Sequence, residues 1–343
     1  MLESSRQGGA FVVLQNTCKS DHNKELVCLE AFDVWKNSPI AFQMAFQIPE
    51  DSLESILSQL YIIPQLVIIY DAVKQFVTGK VDDCTLKLFG YPKEKPVLWL
   101  VSKKPTYFKN IIHIQATTDR KEILEHGCEA LFNLLKKDII EMDKILFVAS
   151  DRTLELVSKE MSKLETHPFI SRNIPRSLFY MDKDQCDKVL KERLTLPEGF
   201  IFVDLDPDSH ADMIKKLEIG TQDPPYTRER ILKMPSVGVK HEKSDQIVSF
   251  EYCSGHGLLI HHFTFPEFRR QGLGRAVELR LCQKIILELG IVPVKHVSRL
   301  SANVIDMSKR SPFWTTCKND DGSDYLGYFR IYEKVHNSSN SLY

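Results

Sequence analysis

Long apolar runs are missing from this sequence of 343 residues, and an N-terminal export signal is not expected. No apolar run reaches the roughly 18 residues that a helix needs to span a bilayer, so a membrane-spanning segment is not expected. The N-terminus carries an acid at once, Glu3, and no apolar core, which argues against a secretory signal. We therefore predict an intracellular protein and take the cytoplasm as its default compartment.

An excess of charge of either sign is also missing. Lysines and arginines number 45 and acids 46, which leaves a net charge of −1. Without a positive field the chain is not expected to bind nucleic acid or an anionic membrane. The eight cysteines are scattered with no C-x-x-C pair, so neither a zinc site nor a disulfide framework is expected. We predict no metal.

Glycine-rich loops are scarce, and none follows a candidate strand before residue 196. One occurs at residues 269–275, with the sequence Arg-Arg-Gln-Gly-Leu-Gly-Arg. It matches neither the dinucleotide pattern G-x-G-x-x-G nor a P-loop, whose lysine it lacks. Gly272 and Gly274 would let the backbone approach a ligand, and the helix after them would offer free N–H groups. This loop predicts a pyrophosphate site, with an arginine-rich turn that binds nothing as the alternative.

The residues on either side of the loop predict a strand, a helix and a second strand. Residues 258–265 are mostly apolar and end at Pro266, which cannot donate to a strand ladder. After the loop an apolar residue recurs at every fourth position, and Gly290 is placed to end the helix. Residues 292–297 form the second strand, so the unit is a βαβ crossover with an anion site at its first turn. The periodic apolar residues are Leu273, Val277, Leu281, Ile285 and Leu289.

These features resemble the GNAT superfamily of coenzyme A dependent N-acyltransferases, whose pyrophosphate loop has the pattern Q/R-x-x-G-x-G/A. Arg269, Gly272 and Gly274 fill that pattern. The resemblance narrows to the glycine N-acyltransferase family and covers most of residues 196–316, with a weaker resemblance to the family's N-terminal domain before them. The segments that carry the narrower resemblance are residues 247–252, 264–269 and 293–297, followed by Asn303.

The resemblance implies an α/β fold of two tandem GNAT-like domains, each a mixed twisted β-sheet flanked by helices, with a pyrophosphate loop only in the second. Residues 51–195 would form the N-terminal glycine-N-acyltransferase-like domain and residues 196–335 the C-terminal acyl-coenzyme A binding domain. Residues 1–50 are an N-terminal extension of unknown role, and residues 336–343 a disordered tail. The boundary falls in a polar stretch, residues 165–196, that we interpret as loops around a short helix.

The resemblance also implies an activity: transfer of an acyl group from acyl-coenzyme A, the cosubstrate, to the amine of glycine or a similar small amino acid. The partner is then a small-molecule amine, and the mitochondrion becomes a second possible compartment because the family includes mitochondrial enzymes. Backbone groups of the strand before the loop would pair with the pantetheine arm like an added strand. The predicted coenzyme-binding residues are Phe263, Thr264, Phe265, Arg269, Arg270, Gln271, Gly272, Leu273, Gly274, Arg275 and Asn303.

The general base is where this sequence departs from the family. Leu258 occupies the position of the family's glutamate, and a leucine cannot accept a proton. Because side chains alternate along a strand, residues 258, 260 and 262 are expected on one face, which makes His262 the first candidate. Glu251 on the preceding strand is the second, if the register places it opposite His262, and His261 would point to the other face. A hydrogen-bonded core histidine is the alternative role for His262.

Two further hypotheses about function stay open. The acceptor could be another amine, such as a polyamine or a protein lysine, or the chain could bind coenzyme A without catalysis, which Leu258 favours. Asn303 could lie near the coenzyme or cap a helix. Phe313 and Trp314 could line an acyl pocket or close the core, and the core is the stronger expectation.

Overall fold

The computed structural model describes residues 44–61, 63–81, 84–106, 110–164, 169–217, 224–319 and 321–335. The predicted N-terminal extension is therefore described only from Met44 onward, and the predicted tail, residues 336–343, lies outside the described residues. Among the helices that are described, none is both long enough and apolar enough to cross a membrane.

The described residues contain thirteen β-strands, all in one sheet. The strands are β1 (Phe46–Ile48), β2 (Cys84–Tyr91), β3 (Leu98–Pro105), β4 (Ile111–Ala116), β5 (Lys144–Ser150), β6 (Phe169–Tyr180), β7 (Phe200–Val203), β8 (Ser236–His241), β9 (Gln246–Cys253), β10 (Leu258–Thr264), β11 (Val294–Ser298), β12 (Thr315–Thr316) and β13 (Leu326–Lys334).

The α-helices of the same residues lie against this sheet and connect its strands. They are α1 (Leu53–Tyr61), α2 (Val67–Val77), α3 (Lys121–Glu141), α4 (Asp151–Ser162), α5 (Lys183–Lys191), α6 (Ala211–Leu217), α7 (Pro224–Lys233), α8 (Leu273–Lys284) and α9 (Ala302–Arg310). A π-helical turn, Ile285–Leu289, continues α8, and Gly290 ends it with a φ of 68°. The predicted helix and the two strands around it are confirmed as β10, α8 and β11.

Apart from β12, the sheet consists of two halves of six strands, and in each half five strands follow one another in chain order from the outer edge toward the centre. One half runs β1-β2-β3-β4-β5-β13 and the other runs β7-β8-β9-β10-β11-β6, with β13 and β6 side by side in the middle. In each half neighbouring strands are antiparallel except for one parallel pair, β4 with β5 and β10 with β11. Each parallel pair is connected by a crossover helix, α3 or α8. The predicted fold class, a mixed α/β protein built as a tandem repeat, is confirmed.

The central strands are exchanged between the two halves. β6 comes before the second half in sequence but pairs with β11, while β13, the last strand of the chain, pairs with β5. β13 and β6 also pair with each other from Leu326 opposite Ser177 to Lys334 opposite Phe169. The sheet therefore continues across residue 195, and the boundary placed there stays a prediction.

Strand β6 corrects our interpretation of residues 165–196 as loops around a short helix. The helix exists as α5, and Asp182 and Gln185 form a capping box at its start. The preceding twelve residues are a strand because both edges find partners, although Pro175 and two arginines interrupt the apolar pattern. The Arg176 guanidinium lies over the Phe329 ring at 5.1 Å, which accommodates its charge within the sheet.

A large apolar cluster binds α8 to the second half of the sheet. Leu259 of β10 contributes to it, together with buried residues of α8 such as Val277, Leu281 and Cys282. A second cluster packs α1 and α2 against β2 and β3 in the first half. Because α8 is held firmly at its buried side, its N-terminus has a defined position over the end of β10.

Candidate functional site

The loop between β10 and α8 has the backbone geometry of an anion site. After Thr264 the chain makes a short 3₁₀ turn, Pro266–Phe268, and then reaches α8 through Arg270 and Gly272, which have φ values of 62° and 80°. Gly272 directly precedes the helix, and no side chain of the described residues caps it. The first N–H groups of α8 therefore have no partner within the helix and point toward the loop, where the helix dipole favours an anion.

The three arginines of the loop are exposed, but they differ in what they contact. The Arg269 Nε donates to the Thr264 carbonyl at 2.9 Å, and its guanidinium lies 5.8 Å from the Phe263 ring centroid. An Arg275 nitrogen donates to a Glu192 carboxylate oxygen at 3.1 Å. Within the described part of the chain Arg270 makes neither a hydrogen bond nor an ion pair, so its charge is the most available for a ligand. Gln271 is exposed beside it.

Gly274 has a packing role that the sequence pattern did not reveal. A Cβ on this residue would lie 3.0 Å from His262 Nε2 and 3.3 Å from Thr264 Oγ1. A Cβ on Gly272 would meet nothing within 4 Å, so the positive φ is what favours glycine there. The first glycine of the loop sets the turn, and the second lets α8 approach the strand that carries His262.

The two parallel strands of the second half diverge just before this loop. β10 pairs with β11 only through Leu258 with Val294 and Leu259 with Lys295. From Ile260 onward the β11 side of β10 has no paired strand among the described residues, while the other side still pairs with β9 as far as Thr264. The open edge is where an extended arm of a ligand would add like a strand. Phe263 and Thr264 lie along it, and Phe265 follows at its end.

A β-bulge in β10 corrects the expectation that Leu258 and His262 share a face. Ile260 pairs with Tyr252 and Phe263 with Phe250, so one extra residue of β10 stands opposite Glu251. The extra residue reverses the alternation of side chains beyond it. Leu258 is therefore buried in a cluster with Val294, whereas His262 lies on the α8 face with Leu259.

His261 has the unusual backbone conformation that the bulge requires. Its φ of 56° is rare for a residue with a side chain, and its ring stacks on Tyr252 with 5.3 Å between centroids. His261 thus points to the face opposite His262, as predicted. The strained backbone at this position keeps the His262 imidazole turned toward α8.

Glu251 and His262 face each other beneath the N-terminus of α8. The Glu251 Oε2 lies 3.9 Å from His262 Nδ1, so the register does place Glu251 opposite the bulge. The Glu251 side chain is 3% exposed and its Oε2 has no hydrogen-bond partner among the described residues, while 35% of the His262 side chain is exposed. His262 is therefore the more accessible of the two groups, with Glu251 behind it.

Two residues that the sequence analysis did not select complete this cluster. Glu278 of α8 accepts a short hydrogen bond from Lys295 of β11, and its second carboxylate oxygen accepts from Trp314 Nε1 at 3.1 Å. The Lys295 ammonium also lies 4.2 Å from the Trp314 ring centroid. The sequence did contain a signal for Glu278. It comes four residues after Gly274 and four before the buried Cys282, so helical periodicity places it on the side of α8 that faces the sheet.

Burial and charge move the pKa values of the two carboxyl groups in opposite directions. Burial, with the negative charge of Glu278 adding to it, raises the pKa of Glu251 well above its ordinary value. Burial alone would also raise the pKa of Glu278, but the Lys295 ammonium, His262 and the hydrogen bonds from Lys295 and Trp314 outweigh it and lower that pKa. The surroundings therefore favour the protonated acid at Glu251 and the carboxylate at Glu278.

Partial desolvation of the ring beneath α8 lowers the pKa of His262 below its ordinary value, although 35% of the side chain is exposed. The Glu278 carboxylate and a hydrogen bond with the Gly274 backbone oppose this shift, whereas the Lys295 ammonium adds to it. A histidine in this state is a neutral imidazole at pH 7 and can accept a proton.

The same side chains were tested for their fit to a cation. Ligand atoms of Glu251, His262 and Glu278 lie within 4.8 Å of one another. Both oxygens of Glu278, however, already accept hydrogen bonds, and the Lys295 ammonium occupies the position next to that carboxylate. A divalent ion would have to displace a buried ammonium, so this arrangement suits proton transfer better than metal binding.

The remaining predicted residues lie around this centre. Asn303 is the second residue of α9 and is exposed, and Ser301, not Asn303, precedes the helix. Phe313 and Trp314 are buried in the cluster under α8, which places them in the core, although the Trp314 N–H reaches Glu278. Leu273, the first residue of α8, is buried in the same cluster, so only its backbone can face a ligand.

Comparison with known proteins shows a shared fold at low sequence identity. No protein-family model matches the sequence, and no curated protein matches it either. A crystal structure of a Drosophila protein superimposes with a TM-score of 0.62 at 11% identity, covering 86% of this chain and all of that one. This likeness supports the fold and says nothing about activity.

Two other solved structures are similar at a lower level. A tandem GNAT protein from the clavulanic acid biosynthesis pathway has a TM-score of 0.44 at 12% identity and covers 86% of this chain and 100% of its own. A GCN5-related N-acetyltransferase from Sphaerobacter thermophilus has a TM-score of 0.44 at 11% identity and covers 87% of this chain and 97% of its own. At these scores neither bears on substrate or mechanism.

Proposed function

We propose that this protein is an acyl-coenzyme A dependent N-acyltransferase that acylates the amine of glycine or a similar small amino acid. The observation that carries the proposal is the pairing of two features at the end of β10. A glycine-hinged loop with free helix N–H groups follows the strand, and a neutral imidazole, His262, lies directly beneath that helix start. One feature suits a pyrophosphate, and the other suits proton removal from an amine.

Binding of the coenzyme is assigned to the loop and to the open edge of β10. The pyrophosphate would accept hydrogen bonds from N–H groups at Gly272 to Gly274, with Arg270 supplying charge. The pantetheine arm would run along the edge of β10 that β11 leaves free, toward His262. This course brings the thioester carbonyl close to the bulge at His261.

The proposed reaction needs no group outside the cluster and the two substrates. The amine nitrogen attacks the thioester carbonyl carbon, the carbon–sulfur bond breaks, and the thiolate of coenzyme A leaves. His262 takes the proton that the amine loses, and Glu278 favours the imidazolium that forms. Glu251, buried behind His262 with a raised pKa, is the second candidate for proton transfer and would act through the imidazole.

The choice of glycine as acceptor is the finest part of the proposal and rests on the resemblance of residues 196–316 to the glycine N-acyltransferase family. Acceptors of another kind, a polyamine or a protein lysine, would use the same thioester chemistry at His262. A non-catalytic coenzyme A binding protein is the candidate from a different class. Leu258 favours it, because the residue at the family's glutamate position lies in an apolar cluster on the other face of the sheet.

One assay separates these candidates. Release of free thiol is measured for acetyl-, butyryl- and benzoyl-coenzyme A, each alone and with glycine, other amino acids, spermidine or a lysine peptide. Thiol release that depends on glycine supports the proposal, and release that depends only on another amine replaces the acceptor. Tight binding of acyl-coenzyme A in calorimetry with no amine-dependent release in any combination would establish the non-catalytic candidate.

A further inference from the structure

We propose that the buried ion pair of Glu278 and Lys295, closed by the Trp314 indole, positions His262 and sets how readily its imidazole takes a proton. These residues come from α8, β11 and the segment after α9, and none of them was expected to take part in the chemistry. The inference deepens the proposed function and, for its kinetic consequence, rests on it.

The helix that holds His262 in place also holds the carboxylate. The His262 ring packs against Gly274, where a Cβ would lie 3.0 Å from Nε2, and Glu278 lies one helical turn further along the same side of α8. Nε2 of the imidazole is the atom that packs against Gly274, while Nδ1 faces Glu251. Any movement of α8 would therefore move both the ring and the charge that acts on it.

The carboxylate itself is fixed in direction. One oxygen accepts from Lys295 and the other from Trp314, and the side chains of Glu278 and Lys295 are only 15% and 9% exposed. With both oxygens engaged, Glu278 cannot rotate toward solvent. Charges in such a poorly solvated position act more strongly on their neighbours than surface charges do.

The charged and titratable groups that face His262 come from three elements. Glu251 lies on β9, Glu278 on α8 and Lys295 on β11. Glu278 favours the imidazolium and Lys295 disfavours it, so their effects on His262 have opposite signs. Because Glu278 and Lys295 carry opposite charges, the ion pair has no net charge, and neither sign of charge dominates at the imidazole.

This balance predicts a specific order of pKa values for His262 in variants. Glu278→Gln removes the favourable charge and leaves the ammonium, so the pKa of His262 should fall by about one unit or more. The double variant Glu278→Gln/Lys295→Met removes both charges, and the pKa should return toward that of the parent. If the ion pair affected His262 only through packing, the double variant should shift the pKa of His262 further from that of the parent than Glu278→Gln does, because it changes more of the core.

The experiment is an NMR pH titration of imidazole-labelled protein, in which His262→Gln identifies the His262 resonance. Glu288→Gln is the matched control, since Glu288 carries the same charge on the π-helical turn after α8 and pairs with Lys284 at 3.6 Å, half-exposed. The control should leave the pKa of His262 unchanged. An unchanged pKa in Glu278→Gln, or a further fall in the double variant, would overturn the proposal.

The kinetic arm distinguishes this proposal from the proposed function. If the protein acylates amines, the acidic limb of kcat in Glu278→Gln should move to lower pH while KM for acyl-coenzyme A stays the same. If the NMR titration behaves as expected and no amine is acylated, the ion pair still tunes His262 and only the proposed activity fails.

If Glu278→Gln does not fold, the double variant is used in its place, since a buried pair replaced by neutral residues is often tolerated. A His262 pKa more than half a unit below that of the parent would then count against the proposal.

Discussion

The two crossovers of the repeat, β4–α3–β5 and β10–α8–β11, share one topology, but the loops between strand and helix differ in sequence and backbone geometry. In the first, residues 117–120 connect strand and helix with no glycine, and Arg120 before α3 has an extended backbone. The Asp119 carbonyl accepts from Arg152 at 2.7 Å, which closes the turn. In the second, Gly272 leaves the helix N-terminus open. The fold supplies the position of a binding loop, and local backbone geometry decides whether the loop can bind.

The histidines of the two crossover strands differ in the same way. His113 lies in β4, which pairs without interruption with β3, and neither of its ring nitrogens has a hydrogen-bond partner in the described structure. Burial lowers the pKa of His113 to about 3. His262 lies at a bulge, is partly exposed and faces carboxyl groups. A bulge can therefore turn a strand side chain away from a buried position and toward the exposed start of a helix.

The largest expected effect comes from replacing His262, the proposed general base. In His262→Ala, kcat/KM for amine acylation should fall roughly 10²-fold to 10⁴-fold, because the amine loses its proton acceptor, while acyl-coenzyme A affinity should change little. Steady-state kinetics and calorimetry measure the two quantities. His113→Ala is the comparison variant in the other half and should lower stability without a comparable loss of kcat. Full activity in His262→Ala would move the role of base to Glu251 or to solvent.

The next effect concerns the loop glycines. Gly274→Val should weaken acyl-coenzyme A binding at least about tenfold, or 1.4 kcal/mol, because the side chain would press on His262 and narrow the approach to the helix start. Gly272→Ala should weaken binding by a smaller factor through strain of about 1–2 kcal/mol in the turn. Calorimetric titration of folded protein measures both.

Gly290→Ala is the matched control for Gly272→Ala. Both glycines have a positive φ, 68° and 80°, and a Cβ on either would meet nothing within 4 Å, but Gly290 lies at the opposite end of the helix. The two variants should lose similar stability, and only Gly272→Ala should lose affinity. Equal affinities in Gly274→Val and the parent would remove the coenzyme site from this loop.

A third effect concerns the pH dependence of stability and tests the difference between His113 and His262. Because the pKa of His113 is lowered to about 3 in the folded protein, the unfolded chain binds more protons between that value and its ordinary pKa of about 6.5. Stability should therefore fall as the pH falls through this window, by up to about 1.4 kcal/mol for each pH unit. His113→Asn should remove this contribution, as measured by denaturant unfolding at several pH values. An unchanged slope in that variant would show that His113 titrates normally in the folded state.

The smallest effect concerns charge at the loop. Arg270→Gln should weaken acyl-coenzyme A binding by up to about fivefold, as expected for an exposed ion pair, and should reduce the dependence of affinity on salt. The corresponding change in the first crossover, Arg120→Gln, should alter neither. Calorimetry at low and high ionic strength decides, with Arg269→Gln as a second loop variant whose side chain is already bonded to Thr264. If Arg270→Gln keeps the salt dependence of the parent, the ligand contacts other cations.

Much of the second crossover could be predicted from sequence, because its signals are local. Apolar residues at every fourth position mark α8, and Pro266 marks the end of β10. Gly272 and Gly290 mark the two ends of the helix and its π-helical continuation. Each signal depends on the backbone preferences of a few neighbouring residues, which tertiary contacts did not override. The same patterns predicted one βαβ unit, whereas the α/β class as a tandem repeat was implied by the family resemblance.

Tertiary structure alone decided which groups meet at the site and how the sheet is completed. Glu251, Glu278 and Lys295 reach His262 from three elements whose pairing register no local pattern encodes, and the bulge opposite Glu251 reversed the face that simple alternation assigns to His262. The exchange of β6 and β13 likewise depends on strand pairing between segments more than a hundred residues apart. The sequence by itself determined the loop and its helix, because dihedral preference and periodicity act over a few residues. The grouping of Glu251, His262, Glu278 and Lys295 was left to the fold, because burial and register are properties of strands that meet only when the chain is folded.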